Sequence, residues 1–298
     1  MKPQPRIATW MGAALGALAT LLVFAVAGHA SDRQGTVSEE FHQVYPLSAE
    51  GRIELENING PVHISSWDRN EVKVDAVKHA WSRERLDEAK IEINARPDWL
   101  SIRTQYPGHD HNFWNDERHD NPASVEYTLT VPRRARLDEI KLVNGALDLQ
   151  DLAGEVNASC VNGRLTARNL EGRADLGTVN GELDATVSRV PSSSLELSAV
   201  NGTLRLTLPS DAKVQVEATT VSGHITNDFG LTEARHQFVG HSLRGELGGG
   251  GTRVKLTNVN GRIEIRHADD NRPMSPAKNL ERHGDGDNDD EDDDDGMI

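Results

Sequence analysis

Short runs in which apolar and polar residues alternate follow one another along most of this chain. They are irregular between residues 52 and 131, where Ile53-Glu54-Leu55-Glu56 is an example, and become regular from Gly145-Ala146-Leu147-Asp148-Leu149 onward. A period of two places successive side chains on opposite faces of an extended backbone, so the pattern predicts a long series of short β-strands. In the regular part we expect Val143, Leu147 and Leu149 to share the core-facing side and Asp148 to face water.

One segment breaks the strand pattern. Residues 82–90 place Leu86 and Ala89 on one side of a helix and offer Ser82 as the N-cap, since a serine hydroxyl accepts a hydrogen bond from the first helical turn. We expect this single short helix to cover an end or an edge of the sheet and so to protect it from edge-to-edge association.

The tripeptide Val-Asn-Gly recurs and sets the period of the strands. Copies begin at residues 143, 161, 179, 200 and 259, Val221-Ser222-Gly223 is a variant, and Ile58-Asn59-Gly60 is an early outlier. The first three copies are evenly spaced, and the next two steps, to 200 and 221, are slightly longer and equal to each other. Glycine and asparagine tolerate the positive φ of tight turns, so each copy is interpreted as a turn between two strands. The expected turn residues are Asn144, Gly145, Asn162, Gly163, Asn180, Gly181, Asn201, Gly202, Gly223, Asn260 and Gly261.

Two architectures place an Asn-Gly turn between short strands. Two-residue hairpins would make neighbouring strands antiparallel and give a sandwich or roll. A repeat unit of about 18 to 21 residues fits one coil of a β-solenoid instead. Each unit has two near-equal halves, and Leu152-Ala153-Gly154 and Leu170-Glu171-Gly172 mark the second half. We therefore predict an all-β, single-stranded β-helix-like solenoid with one short helix near its N-terminal end. Its stacked asparagines would form a ladder of side-chain amides, which Ser222 would interrupt as its weakest rung.

The two ends of the chain differ in composition from the repeats. Lys2 and Arg6 precede an uncharged apolar stretch, so residues 1–30 are interpreted as an export signal, or as an N-terminal anchor if it is not cleaved. Residues 31–50 are expected to be a linker and residues 51–268 the β-strand-repeat domain. Residues 269–298 are expected to be a disordered acidic tail.

Charge and cysteine content narrow the classes of function. The formal net charge is −15, and nine acidic residues lie between positions 285 and 295. This charge does not suit nucleic acid, so none is expected as a partner. Cys160 is the only cysteine, which excludes an internal disulfide. Its place directly before a Val-Asn-Gly copy indicates a small residue in a repeat position rather than a reactive thiol.

Residues 109–120 bring possible metal ligands together. The segment contains His109, His111 and His119 with several acidic residues, but no spacing fixes their geometry. A solvated insertion between two strands is therefore preferred to a metal site. The Phe113-Trp114 pair inside the segment would suit contact with a sugar or a protein partner.

One position of each coil, on the water-facing side of the strand that follows the turn, carries mostly polar or charged residues. It holds Asp148, Thr166, Asp184, Arg205, Thr226 and Glu264. Asp148 and Asp184 lie two coils apart, about 9 to 10 Å at one strand spacing per coil, a separation compatible with acid–base chemistry on a polysaccharide. Alternating charge on a solvated face explains the same residues more simply. We expect no catalytic residue, no cofactor and no metal site.

Four motifs occur in order along the chain. They are the run from Trp67 to Val74, the strand Tyr127-Thr128-Leu129-Thr130-Val131-Pro132, the Val-Asn-Gly series and the segment 251–265. Together they resemble the domain-of-unknown-function family 4097, whose members are described as putative adhesins with β-strand repeats. The resemblance covers residues 50–267 and implies an exported, non-enzymatic envelope protein with a solenoid-like β fold. It supplies no catalytic residues, and the His-rich segment and acidic tail lie outside its pattern.

Two classes of function follow. In the first, the protein is an adhesin or scaffold of the cell envelope, exported to the periplasm or cell surface, which binds an envelope component or polysaccharide through the outward residues of its strands. In the second, it is a polysaccharide-active enzyme on a β-helix scaffold, for which analogy of fold is the only warrant. The sequence favours the first. Contact with a membrane is expected only through the N-terminal segment, if it is not cleaved.

Overall fold

The computed structural model describes residues 36–106, 123–191, 193–235 and 240–280. The predicted export signal of residues 1–30, the His-rich segment and the acidic residues 285–295 lie outside these ranges. The strands before the regular repeats are β1 (Val37–Pro46), β2 (Arg52–Asn59), β3 (Val62–Trp67), β4 (Glu71–Ala80), β5 (Lys90–Arg96), β6 (Trp99–Gln105) and β7 (Ser124–Pro132), with the helix α1 (Arg83–Glu88) between β4 and β5.

The repeats and the closing segment supply the other strands. The repeats give β8 (Arg136–Asn144), β9 (Leu147–Gln150), β10 (Val156–Asn162), β11 (Leu165–Arg168), β12 (Ala174–Asn180), β13 (Leu183–Thr186), β14 (Leu195–Asn201), β15 (Leu204–Leu208), β16 (Val214–Ser222) and β17 (Ile225–Asn227). The closing segment gives β18 (Glu233–Arg235), β19 (His241–Leu247), β20 (Thr252–Asn260), β21 (Ile263–His267) and β22 (Ala277–Asn279).

The strands form two sheets, and each Val-Asn-Gly turn joins a strand of one to a strand of the other. Sheet A has the order β1-β4-β7-β3-β9-β11-β13-β15-β21-β17. Sheet B has the order β18-β19-β16-β20-β14-β12-β10-β8-β2-β6-β5, with β22 beside β19. Equivalent strands of successive coils are parallel, as in β10 with β12 and β11 with β13. The structure is therefore a solenoid with two strands per coil, as predicted, and the hairpin alternative is wrong.

The coils do not all stack in the order of the sequence. The last one, β20–β21, lies between the coil β14–β15 and the coil β16–β17. After β17 the chain forms β18 and β19, places β19 antiparallel to β16, and returns through the turn Gly248–Gly251. Ser222 thus stands at the end of the row of turn residues, so the expectation that it interrupts the asparagine ladder is wrong.

The core lies between the inner faces of the two sheets. One row from sheet A consists of residues at equivalent positions, held in register by the parallel pairing: Val62, Leu147, Leu165, Leu183, Leu204, Ile263 and Ile225. All of these side chains are at most 4% exposed. Medium-sized aliphatic residues recur because each coil must fill the same layer between two sheets.

Two segments expected to be irregular contain strands. Within residues 31–50, β1 pairs antiparallel with β4 along its full length, and its Val37, Phe41 and Tyr45 pack against the core. The alternation of these residues with polar ones is the signal that the linker interpretation missed. Within residues 269–298, β22 pairs antiparallel with β19.

The predicted helix and its N-cap are confirmed. The Ser82 hydroxyl accepts a hydrogen bond from the Arg85 backbone N–H at 3.3 Å, and Leu86 and Ala89 are buried. The helix ends at Glu88, slightly earlier than expected. Arg83 at its start donates to Glu39 of β1 at 3.1 Å, which ties the helix to the N-terminal end of sheet A.

Candidate functional site

The turn asparagines form a continuous ladder of side-chain hydrogen bonds. In each step Nδ2 of one asparagine donates to Oδ1 of the preceding one, over 2.8 to 3.0 Å. In spatial order the rungs are Asn59, Asn144, Asn162, Asn180, Asn201 and Asn260. The early outlier Asn59 is therefore the first rung, and all five asparagines of the expected turn set belong to the same row.

The glycine that follows each asparagine allows the turns to approach closely. Gly163 has φ of 153°, and a Cβ placed on it would lie 1.7 Å from the carbonyl oxygen of Gly145. The backbone N–H of Gly163 in turn donates to the carbonyl of Asn180 at 3.0 Å. Gly145, Gly181, Gly202, Gly223 and Gly261 occupy the equivalent position and also have positive φ. Only glycine fits there, since any side chain would strike the backbone of the coil beside it.

The valine of each tripeptide points out of the solenoid. Side chains at the six positions are between 36% and 50% exposed: Val143, Val161, Val179, Val200, Val221 and Val259. The expectation that Val143 and Leu147 share a face is wrong. Leu142 before the turn and Leu147 after it both face the core, because the Asn-Gly turn shifts the phase of the alternation between the two strands.

A row of small residues runs beside the valines, two positions earlier in each strand. Its members lie in register across five neighbouring strands: Ser159, Gly177, Ser198, Thr257 and Thr219. One continuous outer surface runs across sheet B at the end of the strands where the turns lie. It consists of the six valines, this small-residue row and the asparagine ladder, and we call it the Val–Asn face. At one strand spacing per step, its valine row is about 24 Å long.

Apart from Lys141, which takes the place of the small residue in β8, the Val–Asn face combines apolar and hydrogen-bonding groups without charge. A primary amide offers two hydrogens and two acceptor lone pairs, and the ladder takes one of each from an interior rung such as Asn180. The second hydrogen and lone pair remain for a ligand, directly beside the methyl groups of a valine. The face therefore suits an extended molecule that alternates apolar surface with hydroxyl or amide groups at a regular repeat.

The polar position on the outside of sheet A has different chemistry. Asp148 lies 2.9 Å from Nδ1 of His63, and Asp184 lies 3.2 Å from Arg205. Thr166, which stands between the two aspartates, is only 7% exposed. Each carboxylate is thus paired with its own cationic or imidazole partner, which is the arrangement of alternating charge rather than of a facing acid–base pair.

Glu264 is the centre of a larger ion network at the same level of sheet A. Its carboxylate lies 3.0 Å from Arg205, 3.3 Å from Arg262 and 2.7 Å from Arg266. The side chain is nearly buried, contrary to the expectation that it faces water. Burial by itself raises the pKa of this carboxyl, but hydrogen bonds from Arg205 and Arg262 outweigh it and hold the pKa below its usual value.

The geometry agrees with the match to a known family. Residues 48–266 match the family Toastrack DUF4097. The chain belongs to this family. Among curated proteins, none matches it.

Several solved structures are similar to this Toastrack chain at low sequence identity. A putative cell adhesion protein from Clostridium sporogenes is 13% identical, with a TM-score of 0.46 over 77% of this chain and 100% of the other. A putative adhesin from Bacteroides fragilis is 10% identical, with a TM-score of 0.31 over 77% and 97%. A putative lipid binding protein from Parabacteroides distasonis is 10% identical, with a TM-score of 0.27 over the same shares. At these identities no function is carried from them to this chain.

The other candidate groups of this Toastrack chain are accounted for by structure. Cys160 is buried with Sγ 3.5 Å from the Gly145 carbonyl, and burial raises its pKa to about 11. Within the described ranges, no group of three or more His, Cys, Asp or Glu side chains is placed to hold a metal ion. Over the same residues, no helix is long and apolar enough to cross a membrane.

A second polar row at the opposite corner of the coils was missed by the sequence reasoning. Asn169 donates through Nδ2 to Oδ1 of Asp151 at 2.8 Å, and both residues adopt positive φ. Ser66 donates to the Asp151 carbonyl and Ser188 to Oδ1 of Asn169. The available signal was the Asp or Asn directly before Leu-x-Gly in these two coils, since both residue types tolerate left-handed backbone.

Proposed function

We propose that this protein is an exported, non-enzymatic module of the cell envelope, an adhesin or scaffold that binds an envelope component through the Val–Asn face. The observation that carries the proposal is the row of six exposed valines beside a neutral asparagine ladder. Exposed apolar rows are uncommon on soluble proteins and mark interaction sites. Packing of the core does not require valine at these positions, because the residue directly before each valine is the one that is buried.

A polysaccharide is the class of ligand that fits the face best. Sugar rings offer apolar C–H surface together with hydroxyl groups, which match the valine methyls and the remaining amide groups of the ladder. The repeat of one strand spacing suits a polymer better than a single compact molecule, because each coil offers the same pair of groups. Export is supported by the apolar segment that follows Lys2 and Arg6.

The enzymatic alternative rests on Asp148 and Asp184. Both carboxylates are engaged, Asp148 with His63 and Asp184 with Arg205, so neither stands ready as a general acid or base. These contacts support a structural role for the two aspartates.

Co-sedimentation of the purified protein with isolated envelopes tests the proposal. We expect saturable retention of the wild type. The triple variant Val161→Thr, Val179→Thr, Val200→Thr keeps β-branched side chains, so the strands are preserved. It replaces three methyl groups, each worth about 0.8 kcal/mol when buried against a ligand, and retention should weaken by roughly tenfold or more.

The double variant Asp148→Asn, Asp184→Asn is the matched control on the other sheet. We expect its retention to equal that of the wild type. Equal retention of the valine variant and the wild type would remove the Val–Asn face from the account. Release of soluble saccharide by the wild type, but not by the aspartate variant, would establish the enzyme instead.

A further inference from the structure

The strand β1 forms one edge of the ten-stranded sheet A. It pairs along all ten of its residues with β4 in an unbroken antiparallel register. Among the residues that the structure describes, no strand pairs with its other side. A long regular edge of this kind is a template for a further strand, and proteins usually interrupt it with bulges, prolines or charges. Here the only proline, Pro46, stands at the very end of β1.

The backbone groups of even-numbered residues point toward the open edge. The N–H of Leu47, directly after β1, donates to the carbonyl of Asn70 on the β4 side at 3.1 Å. Since the direction of the N–H groups alternates along an antiparallel strand, the odd-numbered residues of β1 bond to β4 and the even-numbered ones face outward. Pro46 agrees with this assignment, because its missing N–H falls on the open side.

The side chains of β1 form an apolar and a polar row. Val37, Phe41 and Tyr45 are partly buried and pack against the core. The polar row lies on the face of the sheet away from the core, is exposed to solvent, and consists of Ser38, Glu40, His42 and Val44. Val44 is 49% exposed, one of the most exposed large apolar side chains in the described part of the chain.

We propose that two copies of this chain pair through antiparallel β1 strands, around a two-fold axis at Phe41. Phe41 then faces the partner's Phe41, and Val37 lies opposite the partner's Tyr45. On the outer face Glu40 lies opposite the partner's His42, twice by symmetry, and Ser38 lies opposite the partner's Val44. The N–H and C=O groups of the even-numbered residues 38 to 44 hydrogen-bond to those of the partner. This gives about eight backbone hydrogen bonds and joins the two copies of sheet A into one.

The side chains select this register over its neighbours. An axis at Glu40 would place two glutamates opposite each other. An axis at His42 would oppose two imidazoles and set Tyr45 against the partner's Glu39. Only the axis at Phe41 opposes unlike charges and matches apolar residues, the two features that stabilise cross-strand pairs. His42 already lies 2.8 Å from Asp75 and 3.3 Å from Glu40 of its own chain, so the partner's Glu40 completes an acidic surround for its imidazole.

Disulfide trapping tests the register. In a Cys160→Ala background, the variants Ser38→Cys and Val44→Cys are oxidised singly and after incubation together. The Cα atoms of a hydrogen-bonded antiparallel pair are about 5.5 Å apart, within the range that a disulfide spans. We expect cross-linked dimers in the mixture and only background in each variant alone. No cross-link in the mixture, or equal cross-linking of a single variant, would overturn the proposal.

Substitution on the open edge tests the surface without touching the fold. Val44→Pro removes an N–H that faces outward and leaves the bonds to β4 in place. In sedimentation velocity of the full chain over a range of concentrations, we expect a wild-type dimer whose dissociation constant rises at least tenfold in Val44→Pro. The thermal midpoints of the two proteins should be equal at concentrations where both are monomeric. Val44→Thr keeps the N–H and should dimerise like the wild type. A wild type that stays monomeric at the highest concentration reached would also overturn the proposal.

Discussion

Asn260 donates its side-chain amide to Oδ1 of Asn201 at 3.0 Å, although the two residues are 59 positions apart in the sequence. The contact exists because the last coil is inserted beside β14, between two coils that follow each other in the chain. The ladder therefore joins the closing segment to the body of the solenoid and keeps the Val–Asn face continuous across the inserted coil.

Removal of an interior rung should destabilise the solenoid. Asn180 donates to Asn162 at 3.0 Å and accepts from Asn201 at 2.9 Å. Each bond contributes about 0.5 to 1.5 kcal/mol, and the ladder is exposed, so Asn180→Ala should lower the free energy of unfolding by about 1 to 2 kcal/mol in denaturant titrations.

The end of the ladder offers the opposite change as a control. Ser222 pairs with Asn260 in the register but has a shorter side chain than asparagine. Ser222→Asn should add a rung and raise the free energy of unfolding by about 0.5 to 1 kcal/mol. A neutral Asn180→Ala together with a destabilising Ser222→Asn would show that the ladder is not a source of stability.

The turn glycines should tolerate no side chain. Gly163→Ala would put its Cβ 1.7 Å from the carbonyl oxygen of Gly145, so a loss of more than about 4 kcal/mol, or failure to fold, is expected. Gly230 also has positive φ, but nothing lies within 4 Å of its Cβ position. Gly230→Ala should therefore cost only about 1 to 2 kcal/mol, the ordinary penalty of left-handed backbone. Thermal unfolding of the two variants separates contact from conformation, and equal losses would contradict the close stacking of turns.

The solenoid could be predicted from the sequence because each Val-Asn-Gly copy marks a turn by local residue preferences alone, and the copies recur at the length of one coil. The repeat length of about 18 to 21 residues predicted parallel coils, and Ser82 with Leu86 predicted the helix. The phase of the strands was harder, since the alternation changes face at Asn144-Gly145 and places Val143 outside rather than inside. A period of two in the sequence cannot show where a turn resets the count.

Long-range pairing explains the other differences. Nothing local to Ser222 shows that β20 will enter between β14 and β16, because that order depends on where the chain returns after β19. The strand β1 was hidden for a similar reason. The alternation within β1 was present in the sequence, but its partner was not readable: β4 follows only after two other strands, β2 and β3, and no turn signal connects β1 to it.

Acid should weaken the network around Glu264. Hydrogen bonds from arginines hold the pKa of this carboxyl below its usual 4.5, despite the opposing effect of burial. A group with a lowered pKa in the folded state contributes stability that is present above its unfolded pKa and is lost as the pH falls through its folded pKa. Glu264→Gln should therefore be less stable than the wild type by about 1 to 3 kcal/mol above about pH 5, with the difference shrinking below about pH 4.

Measurements of unfolding by urea at several pH values provide this comparison. Asp211→Asn is the control, because its carboxylate pairs with Arg272 at an exposed site and should contribute little to stability. A difference between Glu264→Gln and the wild type that stays constant from neutral to acidic pH would argue against a charged Glu264 in the folded protein.

The thiol of Cys160 should be unreactive in the folded protein. Burial raises its pKa from 9.0 to about 11, so little thiolate exists at neutral pH. We expect slow modification by a thiol reagent at pH 8 and rapid modification in denaturant. Because the folded pKa is raised, stability should be constant below about pH 9 and should fall between about pH 9 and 11. Buried Tyr106 and Tyr127 also have raised pKa values and add to the decline above about pH 10, so Cys160→Ala should make it smaller without abolishing it. Fast modification of the native thiol would contradict the burial of Cys160.

The valine methyl groups report most directly on the central claim that the Val–Asn face is a binding surface. The protein, labelled at its valine methyls, is titrated with soluble polysaccharide released from the envelope, and the methyl NMR spectra are compared. We expect shifts for the valines of the face, such as Val161, Val179 and Val200, and none for the exposed Val44 on sheet A. Binding that leaves the valines of the face unshifted would contradict the account.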